Sequence, residues 1–218
     1  MNNKTFWKII TIIELVAAAV VILLDLFLPT LVILGMLFVS LLIRREHIRL
    51  LGFKRPQSWK RMIVFAFISV VFLQLFDVGV VLPIMNRLTG TTIDYSGFAN
   101  LKGNTGQLVL LLVLSWTLAA LGEEIVYRGY FQKLLTDLFG SNLPGVLLTV
   151  GISSLLFGLA HTEQGLIGVV VTTVDALFFS WLKLKFDNNL WAAILAHGFY
   201  NSIGMIVFFF TGPIYGLW

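Results

Sequence analysis

Cysteine is absent from this 218-residue chain, which excludes disulfides and thiolate nucleophiles and removes the softest metal ligands. Charge is scarce as well: Asp, Glu, Lys and Arg make up 12% of the residues, against about 25% in soluble domains. The sequence contains no Gly-x-Ser-x-Gly elbow and no His-Glu-x-x-His motif. The nucleophile-elbow serine hydrolases and the zincin type of metalloprotease therefore have no foothold. There is no internal repeat of solenoid length and no low-complexity linker.

What fills the chain is apolar. Hydrophobic residues reach 58% and the mean hydropathy is +0.94, the composition of an integral membrane protein. Apolar runs extend over Trp7 to Leu28, Leu31 to Ile43, Met62 to Ile84, Leu108 to Leu121, Leu143 to Leu159, Leu166 to Leu184 and Leu190 to Phe210. The expected fold is all-α, a polytopic membrane helix bundle of about seven to eight transmembrane helices, with no length left for a separate soluble domain. The short second run reads as the return half of a hairpin turning at Pro29. Lys4 and Lys8 ahead of Ala17-Ala18-Ala19 imitate a signal peptide, but the apolar run continues to Leu28 and reads as a membrane anchor.

Charge asymmetry orients this bundle. The loop from Arg44 to Arg61 carries Arg44, Arg45, Arg49, Lys54, Arg55, Lys60 and Arg61 against the single acid Glu46, and is expected in the cytoplasm. The amino terminus, Lys133 and the Lys183/Lys185 pair then fall inside, and the Arg87 to Gln107 connection and the carboxyl terminus outside. The net charge of +4 reads as topology and attraction to anionic lipid rather than nucleic-acid binding. The expected location is a bacterial plasma membrane, multi-pass, with the amino terminus cytoplasmic.

Against this background Glu123, Glu124 and Arg128 stand out, because they follow directly on an apolar run. At roughly 2.5 to 3.5 kcal/mol for each charged group at a membrane-helix centre, three unpaired groups would cost on the order of 8 to 10 kcal/mol. Glu124 and Arg128 are four apart with the acid first, the favourable orientation for a helical ion pair. Glu123 is expected about 100° away on the helix, leaving a spare, partly desolvated carboxylate of the kind a general base requires. A lock between helices needs one acid for one Arg, so the second acid calls for another role.

Two further polar groups interrupt apolar segments: Phe157 to His161, and His197 with Asn201, which share a helix face at a spacing of four. The third histidine, His47, lies in the basic loop and reads as a solvated residue. In order and spacing, Glu-Glu-x-x-x-Arg, Phe-x-x-x-His and His-x-x-x-Asn resemble the three motifs of the CPBP family, the CAAX-protease and bacteriocin-processing (Abi) intramembrane proteins. That family includes the Ras-converting-enzyme-like type II CAAX prenyl endopeptidases. The resemblance covers Gln107 to Ser202 and suggests a division into amino-terminal helices with the basic loop (1–106), a CPBP/Abi catalytic core (107–205) and a terminal tail (206–218).

The resemblance implies that Glu123 and His161 activate water while His197 and Asn201 stabilise the oxyanion, with Glu124, Arg128 and Phe157 in support. It implies an intramembrane endopeptidase whose substrate is a peptide or protein, with lipidation at the substrate's carboxyl terminus as one option. The residues support the same chemistry independently, since amide hydrolysis needs a base for water, donors for the oxyanion and an acid for the leaving amine. No cofactor is expected. A zinc site of His161, His197 and one glutamate stays open as an alternative, as does a non-catalytic immunity or scaffold protein that keeps the motifs.

Three subsidiary expectations complete the reading. Tyr127, Tyr130 and Phe131 are expected to border a groove for an acyl or prenyl chain. Glu14, Asp25, Asp77 and Asp175 are expected to be interfacial or packing groups. Helical rise puts His161 about 27 Å and His197 about 11 Å from the inner surface, so either Tyr130 to Asn142 folds into the membrane or the helices tilt around a water-filled cavity.

Overall fold

Seven helices form among the described residues, 3–26 and 28–218 of a computed structural model, one for each apolar run. Phe27 and the side chain of Lys4 lie outside the described residues. The helices are α1 (Asn3–Leu23), α2 (Pro29–Arg44), α3 (Trp59–Thr89), α4 (Thr105–Phe139), α5 (Leu143–Leu159), α6 (Gly165–Lys185) and α7 (Leu190–Thr211). Five are long and apolar enough to cross a membrane; α2 and α5 are shorter. Leu88, Leu143 and Phe210 are 70–75% exposed, which suits a lipid-facing surface and would be a liability in water.

Local chemistry sets the ends. Ser58, Asn104, Asn142 and Asn189 each accept a backbone N–H from the first turn that follows, opening α3, α4, α5 and α7. Pro29 occupies the first position of α2, where its missing N–H costs nothing. Inside α3 the helix widens to i→i+5 turns over Asp77–Val81, just ahead of Pro83. A proline there removes a hydrogen bond and crowds the carbonyl four residues back, that of Gly79, and the wide turn relieves this.

Helix α4 is wide over Ser115–Glu123 and again over Ile125–Phe131, yet continues unbroken to Phe139. His161 and His197 line one cavity, so by helical rise the amino terminus of α5 is expected roughly 16 Å beyond that of α7.

The two ends of the bundle segregate. At one end the basic loop meets the α6–α7 turn: Leu190 donates to the Gly52 carbonyl at 2.8 Å, Asn189 Nδ2 to the Lys54 carbonyl at 3.0 Å and Lys54 Nζ to the Asp187 carbonyl at 2.8 Å. Gly52, with φ of 103°, allows this approach, because a Cβ there would lie 2.8 Å from the Asn188 carbonyl oxygen. Lys133 pairs with Glu46 at 3.0 Å at this same end. At the other end Asp94 donates its N–H to Gln164 and Gly103 donates to Phe209.

Several expectations change. Lys183 is not a surface marker of topology: it is 4% exposed and its Nζ donates to the Arg128 carbonyl and, at 3.2 Å, to Gln132 Oε1. Arg44 reaches back to Glu14 at 2.7 Å, and Ser40 donates to the same carboxylate, so the intramembrane acid of α1 is neutralised by α2. His47 is exposed, as expected, and its Nδ1 accepts the Arg49 N–H, capping the short turn Ile48–Leu51. Tyr127, Tyr130 and Phe131 border no open groove; each is at most 3% exposed within the core formed with Ile33, Leu37 and Leu134. The aromatic bulk on the inward face of α4 serves packing rather than a binding surface.

Candidate active site

Helix α4 brings Glu123, Glu124 and Arg128 against α7. Their approach depends on Gly198: a Cβ there would lie 2.5–2.7 Å from the ring of Trp116, so only glycine lets the indole seat against α7. Trp116 Nε1 also donates to Ser202 Oγ at 3.0 Å, which leaves Ser202 a packing residue. Across α5 and α6, Gly158 lies directly against Thr173, where a side chain would overlap.

At the centre Glu124 Oε1 accepts from Arg128 Nη1 and from His197 Nδ1, both at 2.9 Å. Glu124 and Arg128 are fully buried. Arg128 is enclosed by the faces of Phe157, 4.5 Å from its guanidinium carbon, and Phe179 at 5.5 Å. Phe179 also stacks on the His197 ring at 5.1 Å. The ion pair is thus dry, stacked and spent on orienting an imidazole.

Glu123 differs from its neighbour. Its side chain is 20% exposed, and Oε2 lies 4.0 Å from His197 Nε2, so adjacent carboxylates reach the two nitrogens of one ring. The expected separation of about 100° does not keep the two acids apart, since the wide turns of α4 rotate less per residue than an α-helix. Among the described residues Glu123 Oε2 has no hydrogen-bond partner.

His161 follows the last turn of α5, and its Nδ1 lies 2.8 Å from the Phe157 carbonyl. A carbonyl can only accept, so Nδ1 carries the proton and the neutral ring keeps its lone pair on Nε2. Its ring packs on Phe157 at 4.7 Å. Glu123, His161, His197 and Asn201 all line one cavity of about 300 Å³, together with Asp77, Asp175 and Tyr200. Toward the end of the bundle opposite the basic loop, its wall is made by Tyr95, Phe98, Gln164 and Ile214. Burial holds the Tyr95 phenol well above its usual range, so it faces the cavity as a neutral hydroxyl.

Among the described residues no three His, Asp or Glu side chains stand together as a set able to hold a metal ion.

Residues 105–203 match the model of the Rce1-like family, type II CAAX prenyl endopeptidases. Over this segment the chain is similar to the Rce1-like family. The segment takes in α4 to most of α7, and with it every residue of the three motifs. An uncharacterized protein of Mycoplasma capricolum subsp. capricolum is 34% identical over 101 residues, 46% of this chain and 28% of its own length. The chain therefore spans under a third of that relative. No solved structure matches.

The Rce1-like motifs did not point to Asp77, Asp175, Phe179, Gln132 or Lys183. The signal available was the cost of polar groups inside apolar runs, and it marks Asp77, Asp175 and Lys183. Phe179 looks like any lipid-facing aromatic in sequence. Gln132 donates to Ser153 at 3.1 Å and to Ser180 at 2.9 Å, and with Lys183 it forms a buried polar floor beneath Arg128.

Proposed function

We propose that this chain is an intramembrane endopeptidase that hydrolyses a peptide bond by water activated between Glu123 and His161. The observation that carries the reading is the shared cavity: a free carboxylate oxygen, an imidazole with its lone pair on Nε2, and the His197/Asn201 pair converge there from two helices and the end of a third. Similarity to the Rce1-like family over residues 105–203 supports a peptide or protein substrate at a membrane.

In the proposed reaction Glu123 takes a proton from a water that His161 Nε2 also holds, and the resulting hydroxide attacks the scissile carbonyl. The Asn201 amide donates to the developing oxyanion. His197 gives its Nδ1 proton to Glu124, so Nε2 donates to that oxygen when the ring carries its second proton. Glu124 and Arg128 fix the ring in this orientation, as the buried carboxylate of a catalytic triad does. Glu123 returns its proton to the leaving nitrogen.

The step is proposed without a metal. Cleavage that survives chelation, with no zinc in the purified protein by mass spectrometry, is the expected result; restoration of lost activity by zinc would overturn it. If the basic loop is cytoplasmic, the cavity reaches toward the outer face, and the cleaved bond lies on that side. The test is turnover of prenylated and unprenylated peptides by the purified protein in lipid nanodiscs. Loss of cleavage in Glu123→Ala and His161→Ala with unchanged thermal unfolding is expected. Undiminished turnover in Glu123→Ala would refute the mechanism, and would leave binding without catalysis, as in an immunity or scaffold protein, as the function.

A further inference from the structure

Two acids that the proposed hydrolysis does not use line the same cavity. Asp77 sits on the wide turn of α3 and Asp175 midway along α6; they are 2% and 4% exposed. Both carboxyl groups face this one cavity. Two carboxylates buried against one cavity repel unless a proton or a cation comes between them. Tyr200, the neighbour of Asn201, donates its hydroxyl to Asp77 Oδ2 at 2.8 Å. The Oδ1 atoms of both acids are buried and have no hydrogen-bond partner among the described residues.

Among the described residues no Lys or Arg lines this cavity, whereas Glu123 and Glu163 add two more acids to it. Arg128 lies close behind Phe179 but is committed to Glu124. A buried net charge without a counterion is costly, and the missing partner is a cation small enough to enter from the cavity. A volume of 300 Å³ is about 7 Å on an edge, the reach of roughly two extended residues.

We propose that Asp77 and Asp175 form a recognition subsite for one cationic side chain, lysine or arginine, within about two residues of the bond placed at Glu123 and His161. The position of the bond rests on the endopeptidase reading; the cation subsite itself does not. Tyr200 couples the two, since it anchors Asp77 while Asn201 on the same turn of α7 faces the reacting carbonyl.

The experiment uses the whole chain in nanodiscs and a positional set of hexapeptides, each with one lysine or one Nε-acetyllysine in an Ala/Leu background. Binding is read by fluorescence anisotropy and cutting by mass spectrometry. Lysine peptides are expected to bind at least about tenfold tighter than their acetylated twins, with cuts within two residues of the lysine. In Asp77→Asn and Asp175→Asn that ratio should fall to near one. Equal binding of the twins by the wild-type chain overturns the subsite, whether or not the variants fold. A tenfold preference in binding with no cutting of any peptide upholds the subsite and instead counts against the endopeptidase reading.

Discussion

His197 donates its Nδ1 proton to Oε1 of Glu124 at 2.9 Å, and that oxygen simultaneously holds Arg128. The imidazole that faces the cavity is therefore oriented by an ion pair the cavity never sees. The consequence is a division of labour between adjacent glutamates, one structural and one reactive, which variants can separate.

Removing the buried side of that division should unfold the protein before it tests chemistry. Arg128→Ala leaves the Glu124 carboxylate buried and unpaired, a loss of about 3–5 kcal/mol, read as a large drop in thermal midpoint. Glu123→Ala, at a partly exposed acid with no ion pair at hydrogen-bond distance, should leave the midpoint nearly unchanged while cleavage disappears. Matching stability losses in the two variants would contradict the division.

Asn201→Ala should lower kcat about a hundred- to a thousand-fold, the usual effect of losing one oxyanion donor, with KM little affected. A rise in KM at constant kcat would move Asn201 from transition-state stabilisation to substrate binding.

Gly198→Ala should spread α4 from α7, because the new methyl meets the Trp116 ring. Overpacking of this kind costs about 1–3 kcal/mol, and activity should fall with it. Trp116→Phe in the same chain should recover part of both, and the double variant measured by thermal unfolding checks the contact.

The absence of cysteine makes the orientation directly measurable. Gln57→Cys in the basic loop and Ser96→Cys at the opposite end are both exposed positions. In intact cells a membrane-impermeant maleimide should label Ser96→Cys and leave Gln57→Cys unlabelled until the membrane is opened. The reverse pattern would put the cavity's open end in the cytoplasm.

Lys183→Met should destabilise the chain by about 1–3 kcal/mol, since the Arg128 carbonyl and Gln132 Oε1 would lose a buried donor. Thermal unfolding in nanodiscs reads the loss, and wild-type stability in this variant would show that the polar floor is dispensable.

Much of this molecule was legible in the residues alone. Seven apolar runs became seven helices, because hydrophobic length is a local property and lipid demands that backbone groups pair within each segment. The Glu124–Arg128 pair was equally readable, since both partners lie on one turn of one helix. The depth of His161 was not: it depended on α4 continuing to Phe139, which no run of polarity announces. Nor was the fate of Tyr127, Tyr130 and Phe131, because an aromatic face says that something covers it without saying whether that is a ligand or another helix.

The sequence by itself determined the membrane class, the helix count, the segregation of basic loops and the chemical inventory of Glu123, His161, His197 and Asn201. Only the tertiary structure decided which nitrogen of each histidine carries the proton, that two neighbouring glutamates meet one imidazole, and that Asp77 and Asp175 join the same cavity from helices nearly a hundred residues apart. Those outcomes follow from distances between side chains on different helices, which depend on close contacts such as Gly198 on Trp116, and composition and spacing along one chain contain no record of such distances.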